Sequence, residues 1–379
     1  MITVSSTLTA AERLKFRLLA EGLSISPSAM SLLLELNDNR QLTPADFAST
    51  SGVILRLADD VWVNAPMPQY NPNFLQAPPF ALDRAGDGFV VHGDSLESPA
   101  EFWLTPAYHG ARNPDGRPYN NYVFTHGDRV RLSPIQGCAM RCQFCNVPYE
   151  DHYATKSVDE MMDAVGRALA DPIQPAQHIL ISGGTPTRRD IPYLQAVYER
   201  TLGEFPLVDI DIMMVPLDGL LDVQRLRTLG VHELSINIEL YDRARANAIM
   251  RQKYLQGLDH YLDFIGKASA ILGPGRVRAM LMVGLESIEG TLAGVRAILE
   301  RGGIPVLSPF RPDPATPLRD LPPPSARHLE EVYLRANDMA RDAGMYLGPT
   351  CLPCTHNTIT LSGSHPDGLS YHRRGPTMV

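Results

Sequence analysis

The sequence predicts an α/β chain: a partial or complete (β/α) barrel of TIM type, preceded by an N-terminal α+β accessory module. Three observations predict it. From about residue 129 a short apolar run followed by a helix-length amphipathic stretch recurs six times, the pattern of parallel strands joined by crossover helices. At 379 residues the chain has room for one barrel of about 200–250 residues and an extension. The stretches with unusual chemistry fall at or just after predicted strands, where a barrel keeps its site. The expected organisation is an accessory module at 1–125, the barrel at 126–345 and a C-terminal cysteine-bearing segment at 346–379.

Taken in order, residues 9–23 place Ala11, Leu14 and Leu18 at helical spacing, with Thr9 as cap and Glu12 three residues on. A short helix is expected at 28–36. Breaks rich in Ser, Pro and Asn fill the rest of 1–50. Two hairpins follow: 53–57 with 61–63 across Asp59-Asp60, and 80–82 with 89–91 across Gly86-Asp87-Gly88. Prolines are frequent between Pro66 and Pro118, so loops join short strands. The barrel strands are expected at 130–135, 178–181, 208–215, 234–238, 277–283 and 304–307. Their helices are expected at 157–169, 193–202, 217–229, 254–271, 288–301 and 325–343. Residues 358–361 alternate like a terminal barrel strand, and the tail from Ser362 reads as loosely ordered.

Composition narrows the class of function. Hydrophobic residues make up 44% and charged residues 20%, as in ordinary globular proteins. The balance of 34 basic against 42 acidic residues argues against broad nucleic-acid or anionic-membrane binding. Only Lys15, Lys156, Lys253 and Lys267 are lysines, which reads as genome bias. The first residues lack a signal-peptide pattern and no apolar run reaches about 18 residues. Five cysteines, clustered and odd in number, suit reduced thiols or metal ligands, and a cytoplasmic location is expected.

Three of those cysteines, Cys138, Cys142 and Cys145, are spaced C-x3-C-x2-C. Such a loop brings three thiolates to one metal centre; a partial zinc site and a chance cluster are the other readings, although zinc sites favour paired C-x2-C units. In a four-iron cluster, usually held by four cysteines, three ligands leave one iron open. This spacing, with Phe144 just before the third Cys, resembles the signature loop of the radical S-adenosylmethionine (SAM) superfamily. The resemblance implies a [4Fe–4S] cluster on Cys138, Cys142 and Cys145. It also implies SAM on the open iron, cleaved reductively to a 5′-deoxyadenosyl radical that abstracts hydrogen from a substrate carbon. Phe144 and Asn146 match the positions beside adenine.

Further stretches extend the resemblance. Gly183-Gly184-Thr185-Pro186 lets the backbone approach a ligand and resembles the turn that meets the SAM amine, although such a sequence is also an ordinary turn. In Ser235-Ile236-Asn237-Ile238-Glu239, Asn237 and Glu239 point the same way along a strand and could bond the ribose hydroxyls; a capped strand end is the alternative. Arg251 could meet the SAM carboxylate as a fork donor or stand on the surface. Asn237-x-Glu239, the strand end at Val283-Gly284-Leu285, Ile304-Pro305-Val306 and Ala315-Thr316-Pro317-Leu318 resemble biotin synthase and its relatives in order, implying Gly284 as a cofactor contact. One departure is decisive: no Cys lies between Cys145 and Cys351, so the ligands of that enzyme's second, two-iron cluster are missing.

The remaining pair, Cys351 and Cys354, forms a C-x2-C next to His356. Two thiolates plus His356, or an exogenous ligand, could hold an auxiliary iron–sulfur cluster or a zinc ion, and a plain reduced pair stays open beside them. The expected function is a radical SAM enzyme of a biosynthetic pathway. It would act on a small molecule, fed by a flavodoxin- or ferredoxin-type donor, with sulfur insertion or electron transfer at an auxiliary cluster. A rearrangement or lyase reaction without that cluster is the first alternative, and an iron–sulfur or metallocofactor assembly protein the second. An RNA- or peptide-modifying enzyme is disfavoured by the net charge of −8.

Overall fold

Residues 8–37, 52–68, 77–372 and 375–379 are described by a computed structural model. The break-rich stretch at 38–50 and part of the proline-rich one, at 69–76, lie outside them.

The N-terminal part opens with α1 (Ala10–Glu21), whose start is a reciprocal cap. The Glu12 amide donates to Thr9 Oγ1 and the Thr9 amide to Glu12 Oε2, satisfying two otherwise orphan donors. Then come β1 (Ser24–Ile25), α2 (Pro27–Leu36), β2 (Gly52–Leu57), β3 (Val61–Pro66), β4 (Ala81–Ala85), β5 (Gly88–Gly93) and β6 (Leu96–Phe102). They make a six-stranded sheet in the order β1-β4-β5-β6-β2-β3, antiparallel except where β1 meets β4. Both expected hairpins are present, as β2–β3 and β4–β5. Strand β6 is not marked in the sequence, because Glu97, Ser98 and Pro99 interrupt any apolar alternation.

The barrel follows as β7 (Val123–His126), β8 (Arg129–Leu132), β9 (Ile135–Gln136), α3 (Val147–Glu150), β10 (Ala154–Thr155), α4 (Val158–Leu169), β11 (His178–Ile181), α5 (Ile191–Glu204), β12 (Asp209–Met213) and α6 (Val223–Thr228). It continues with β13 (Glu233–Ser235), α7 (Arg243–Ile249), α8 (Arg251–Gln256), α9 (Leu258–Leu272), β14 (Val277–Val283), α10 (Ile288–Glu300), β15 (Ile304–Pro309) and α11 (Ala326–Asp342). Strands β8, β11, β12, β13, β14 and β15 are parallel neighbours in that order, and β7 adds antiparallel to the β8 edge. The barrel is partial. Strand β7 straddles the expected boundary at 125/126.

Alternation along these strands separates two environments. Val130, Leu132, Ile179, Ile181, Ile210 and Ile212 join the main apolar core. His178, Asp211, Glu233, Asn237 and Arg278 are buried polar residues in the same strands or at their ends.

The C-terminal segment runs along the open edge of β15 and reaches the turn between β7 and β8. The amides of Gly348 and Ile359 donate to the carbonyls of Pro305 (2.9 Å) and Leu307 (3.0 Å) on β15. A Cβ on Gly127, just before β8, would lie 3.0 Å from Pro353 Cβ. Strand β3 packs on the 3-10 turn Pro353–Asn357, and Trp103 Nε1 donates to Gly127 O at 2.9 Å, so the N-terminal sheet braces the same seam.

Four local expectations need correction. Residues 358–361 run beside β15 through the Ile359 bond but form no strand. The expected helix 217–229 starts only at Val223, because Gly219 (φ +81°) turns the chain and Asp222 caps the helix. The expected helix 254–271 is interrupted at Gly257 (φ +92°), giving α8 and α9. The tail is packed where it is described: His372 stacks on His178 at 4.0 Å, and Met378 bridges to Trp103.

Candidate active site

The cysteine loop leaves the carboxyl end of β8 and is held from two sides. Gly137 (φ +64°) turns the chain; a Cβ there would lie 2.8 Å from Asp151 O. On the other side, a Cβ on Gly184 would lie 1.7 Å from Gly137 O, so only glycine lets the turn after β11 back onto this loop. Bonds then lock the two together. Ala139 N–H donates to Thr185 O (3.0 Å), and the amides of Thr185 and Met140 donate to Cys138 Sγ at 3.1 and 3.3 Å. The end of α7 clamps the loop's far side, where Gln143 donates from its amide and side chain to Ile249 O and Ala248 O.

Cys138, Cys142 and Cys145 line one cavity of ≈ 380 Å³ at the carboxyl ends of the parallel strands. Phe144, Asn146, Gly183, Thr185, Asn237 and Glu239 line it too. Burial pushes the thiols of Cys142 and Cys145 up, to about 12 and about 11. Without a metal these groups are neutral thiols; binding one displaces their protons.

Glu239 sits in the left-handed region (φ +68°), which turns its carboxylate inward after β13. Its Oε1 accepts from Lys253 Nζ at 2.9 Å, and its Oε2 is buried with no partner among the described residues. Asn237 Oδ1 accepts from Ser235 Oγ (2.8 Å) and Met280 N–H (3.3 Å), so what Asn237 offers a ligand is its Nδ2 donor.

Three expected residues lie elsewhere. Gly184 faces the cysteine loop rather than this cavity. Arg251 is exposed and donates to Asn247 Oδ1 at 2.8 Å, outside the cavity. Gly284 (φ +106°) packs against Pro324, where a Cβ would lie 2.9 Å from Pro324 Cδ. Three cavity cations escape the sequence reading: Lys253, Arg131 on β8, and Arg311 after β15. Burial draws the Arg311 guanidinium down to about 9 and lowers that of Arg131. Arg311 donates to the side chain and backbone oxygens of Asn64 on β3, so the N-terminal sheet holds one wall of the cavity. Lys253 could have been suspected as one of only four lysines; nothing in the local sequence marks Arg131 or Arg311.

Cys351 and Cys354 lie at the other end of the barrel, beside Asp128 just before β8 and His178 at the start of β11. His356, expected with them, is not in that group, and its ring faces His126 with centroids 6.3 Å apart.

A family model described as the radical SAM superfamily matches residues 132–291. Residues 132–291 are a radical SAM domain. Its match takes in the cysteine loop, the Gly183-Gly184 turn and β13, and the chain is accordingly a radical SAM enzyme. No curated protein matches the chain. Among solved structures it is similar to a radical SAM methyltransferase from Sphaerobacter thermophilus, at 15% identity over 72% of this chain and 76% of that one, with a TM-score of 0.45. It is also similar to HydG, a maturase of the [FeFe]-hydrogenase, at 13% identity over 55% of this chain and 48% of that one, TM-score 0.44. HydG from Carboxydothermus hydrogenoformans gives 16% identity, 59% and 55% coverage, and a TM-score of 0.44. The chain thus spans about half the length of the HydG structures.

A radical SAM domain implies a [4Fe–4S] cluster and SAM. The residues present fit both. Three thiols open onto one cavity, and the unpartnered Glu239 Oε2 is an acceptor suited to a ribose hydroxyl. Among the described residues no helix is long and apolar enough to cross a membrane.

Proposed function

We propose that this radical SAM enzyme abstracts hydrogen from a small molecule bearing a carboxylate or phosphate, leading to rearrangement or elimination. The observation that carries the reading is one cavity that combines the three thiols, an orphan carboxylate oxygen and the two guanidinium groups of Arg131 and Arg311. When bound, the cluster and SAM supply reductive SAM cleavage and the hydrogen abstraction itself.

This chain's residues do the rest. Cys138, Cys142 and Cys145 hold the cluster. Glu239 and Asn237 take the ribose, with Lys253 fixing the Glu239 carboxylate at 2.9 Å. Phe144 and Asn146 flank the adenine, and the backbone at Gly183 and Thr185 receives the methionyl amine. Arg131 supplies a forked donor for the substrate's anionic group, and Arg311, whose Nη1 and Nη2 are held by Asn64, adds positive charge to the same wall. Met213, Met280 and Met282 complete an apolar wall that limits water around a reactive centre.

The biotin synthase-like grouping rests on the motif order alone, and sulfur insertion does not form part of the proposed reaction. From His178, beside Cys351 and Cys354, to Gly183 in the cavity the chain runs along β11 and two residues beyond it, up to about 16 Å at about 3.3 Å each. Reacting atoms must come within about 3–3.5 Å. The electron would come from a flavodoxin- or ferredoxin-type donor in the cytoplasm. The test is anaerobic reconstitution with iron and sulfide, then SAM and a strong reductant. The wild type should form 5′-deoxyadenosine and Cys142→Ala should not; no product from a fully loaded wild type overturns the reading.

A further inference from the structure

At the amino-terminal ends of the first two parallel strands, four metal-ligating side chains meet away from the radical cavity. Asp128 precedes β8, His178 opens β11, and Cys351 and Cys354 come from the segment that runs along the open edge of β15. All four are closed to solvent, exposed by 1%, 2%, 5% and 3% respectively. We propose that these two thiolates, one imidazole and one carboxylate form a tetrahedral zinc site, a structural clasp that holds the partial barrel shut.

The distances carry the argument. Zinc binds sulfur at about 2.3 Å, imidazole nitrogen at about 2.0–2.1 Å and carboxylate oxygen at about 2.0–2.2 Å. A tetrahedron with those bonds has nitrogen–oxygen edges of about 3.4 Å and sulfur–nitrogen and sulfur–oxygen edges of about 3.5–3.6 Å. His178 Nε2 lies 3.3 Å from Asp128 Oδ1, and 3.7 and 3.4 Å from the sulfurs of Cys351 and Cys354. Asp128 Oδ1 lies 3.2 and 3.8 Å from the same two sulfurs. All four ligand atoms fall within 4.8 Å of one another, close enough to share a single ion. A cluster of two or four irons distributes its ligands over separate metals with sulfides between them, which needs a wider cage.

The second observation is where the facing atoms lie. Asp128 Oδ1 and His178 Nε2, the two atoms that a shared ion would take, face each other and both sulfurs inside a site closed to solvent. A carboxylate and two thiols gathered away from water favour a cation among them. Two thiols and an imidazole select zinc among the common divalent ions, and four protein ligands leave no open position for catalysis. The ion's place explains its use. The segment bearing both cysteines is bonded to β15 through Gly348 and Ile359, while Asp128 and His178 belong to β8 and β11. One ion therefore joins the last parallel strand to the first two across the gap in the sheet.

The inference does not depend on the radical chemistry, and its test reads metal, not turnover. The full chain is purified anaerobically as the wild type, as a Cys138→Ala/Cys142→Ala/Cys145→Ala variant, and as His178→Ala and Cys351→Ser. About one zinc per chain is expected in the wild type and in the triple variant, and none in the other two. Because His178→Ala and Cys351→Ser could fail to fold, the triple variant is also produced with cobalt, where intense visible bands of tetrahedral thiolate-bound Co(II) are expected. Iron and labile sulfide in the triple variant would overturn the proposal in favour of an auxiliary cluster. Reactive thiols with neither zinc nor cobalt bound in that folded variant would overturn it in favour of a metal-free pair.

Discussion

Glu239 and Lys253 form a buried ion pair, Oε1 to Nζ at 2.9 Å, in the wall of the cavity that holds the three loop cysteines. Both side chains are about nine-tenths shielded, so the pair is tightly coupled and each partner depends on the other. Lys253→Met should lower global stability by about 3–5 kcal/mol, the usual result of stranding a buried charge. Lys253→Met/Glu239→Gln should recover part of that loss in denaturant titrations. Glu239→Gln alone should keep the iron content of the wild type but raise the SAM concentration needed for half-maximal 5′-deoxyadenosine formation about tenfold or more. An unchanged SAM requirement would remove Glu239 from the ribose site.

The close approach of Gly184 to Gly137 gives a prediction about cluster assembly. An added Cβ would meet Gly137 O at 1.7 Å and the Gly137 carbonyl carbon at 2.8 Å, and both are backbone atoms that cannot swing away. Gly184→Ala should displace the cysteine loop while leaving the sheet intact. Far-ultraviolet circular dichroism should be near that of the wild type, whereas iron per chain after reconstitution falls several-fold. Full iron loading in Gly184→Ala would show that the loop tolerates the shift.

The parts legible in the sequence are those written locally. The strand–helix alternation, the Thr9–Glu12 cap and the cysteine loop each occupy one short stretch, and periodicity or spacing suffices to place them. Period two carries Asn237 and Glu239 along the strand expected at 234–238, but β13 ends at Ser235 and it is the left-handed backbone at Glu239, not period two, that turns its carboxylate inward. What the sequence hid is assembled over distance. Asp128 and Cys351 are 223 residues apart, and Arg311 meets Asn64 across 247. The choice of Arg251 over Lys253 shows a finer limit. Two residues along an α-helix rotate a side chain by about 200°, so one faces the cavity and the other solvent, and the sequence gives no phase for a six-residue helix. His356 is a similar case: adjacency in sequence to Cys354 did not place it beside the thiols.

Arg131 and Arg311 predict the charge of the substrate. Both guanidinium groups line the cavity and are buried enough that each is held below its ordinary value. A panel of small carboxylates, phosphate monoesters, neutral analogues and amines can be screened for stimulation of 5′-deoxyadenosine formation. The stimulating compounds should be anions. Arg131→Met should weaken the effect of the best of them by about 10–150-fold, the worth of one charged hydrogen bond, with cluster iron unchanged. Stimulation by neutral or cationic compounds alone would sink the anionic assignment.

Lys15 predicts how stability responds to pH. Its Nζ is buried on α1 and donates to Thr355 O (3.0 Å) and Thr360 O (2.7 Å), tying the first helix to the C-terminal segment. Burial lowers its pKa from 10.5 to about 7. The unfolded chain therefore binds more protons than the folded one between those values, and stability rises with pH across the window. The contribution is fully present above about 10.5 and is lost as pH falls towards 7. Between pH 7 and 9 it amounts to about 2 kcal/mol. Lys15→Met should lack this component, so the wild type should gain stability over the variant by roughly that amount as pH is raised from 7 to 9. Chemical denaturation of both proteins at the two pH values reads the difference directly, and parallel pH responses would mean that Lys15 stays charged through a path to water.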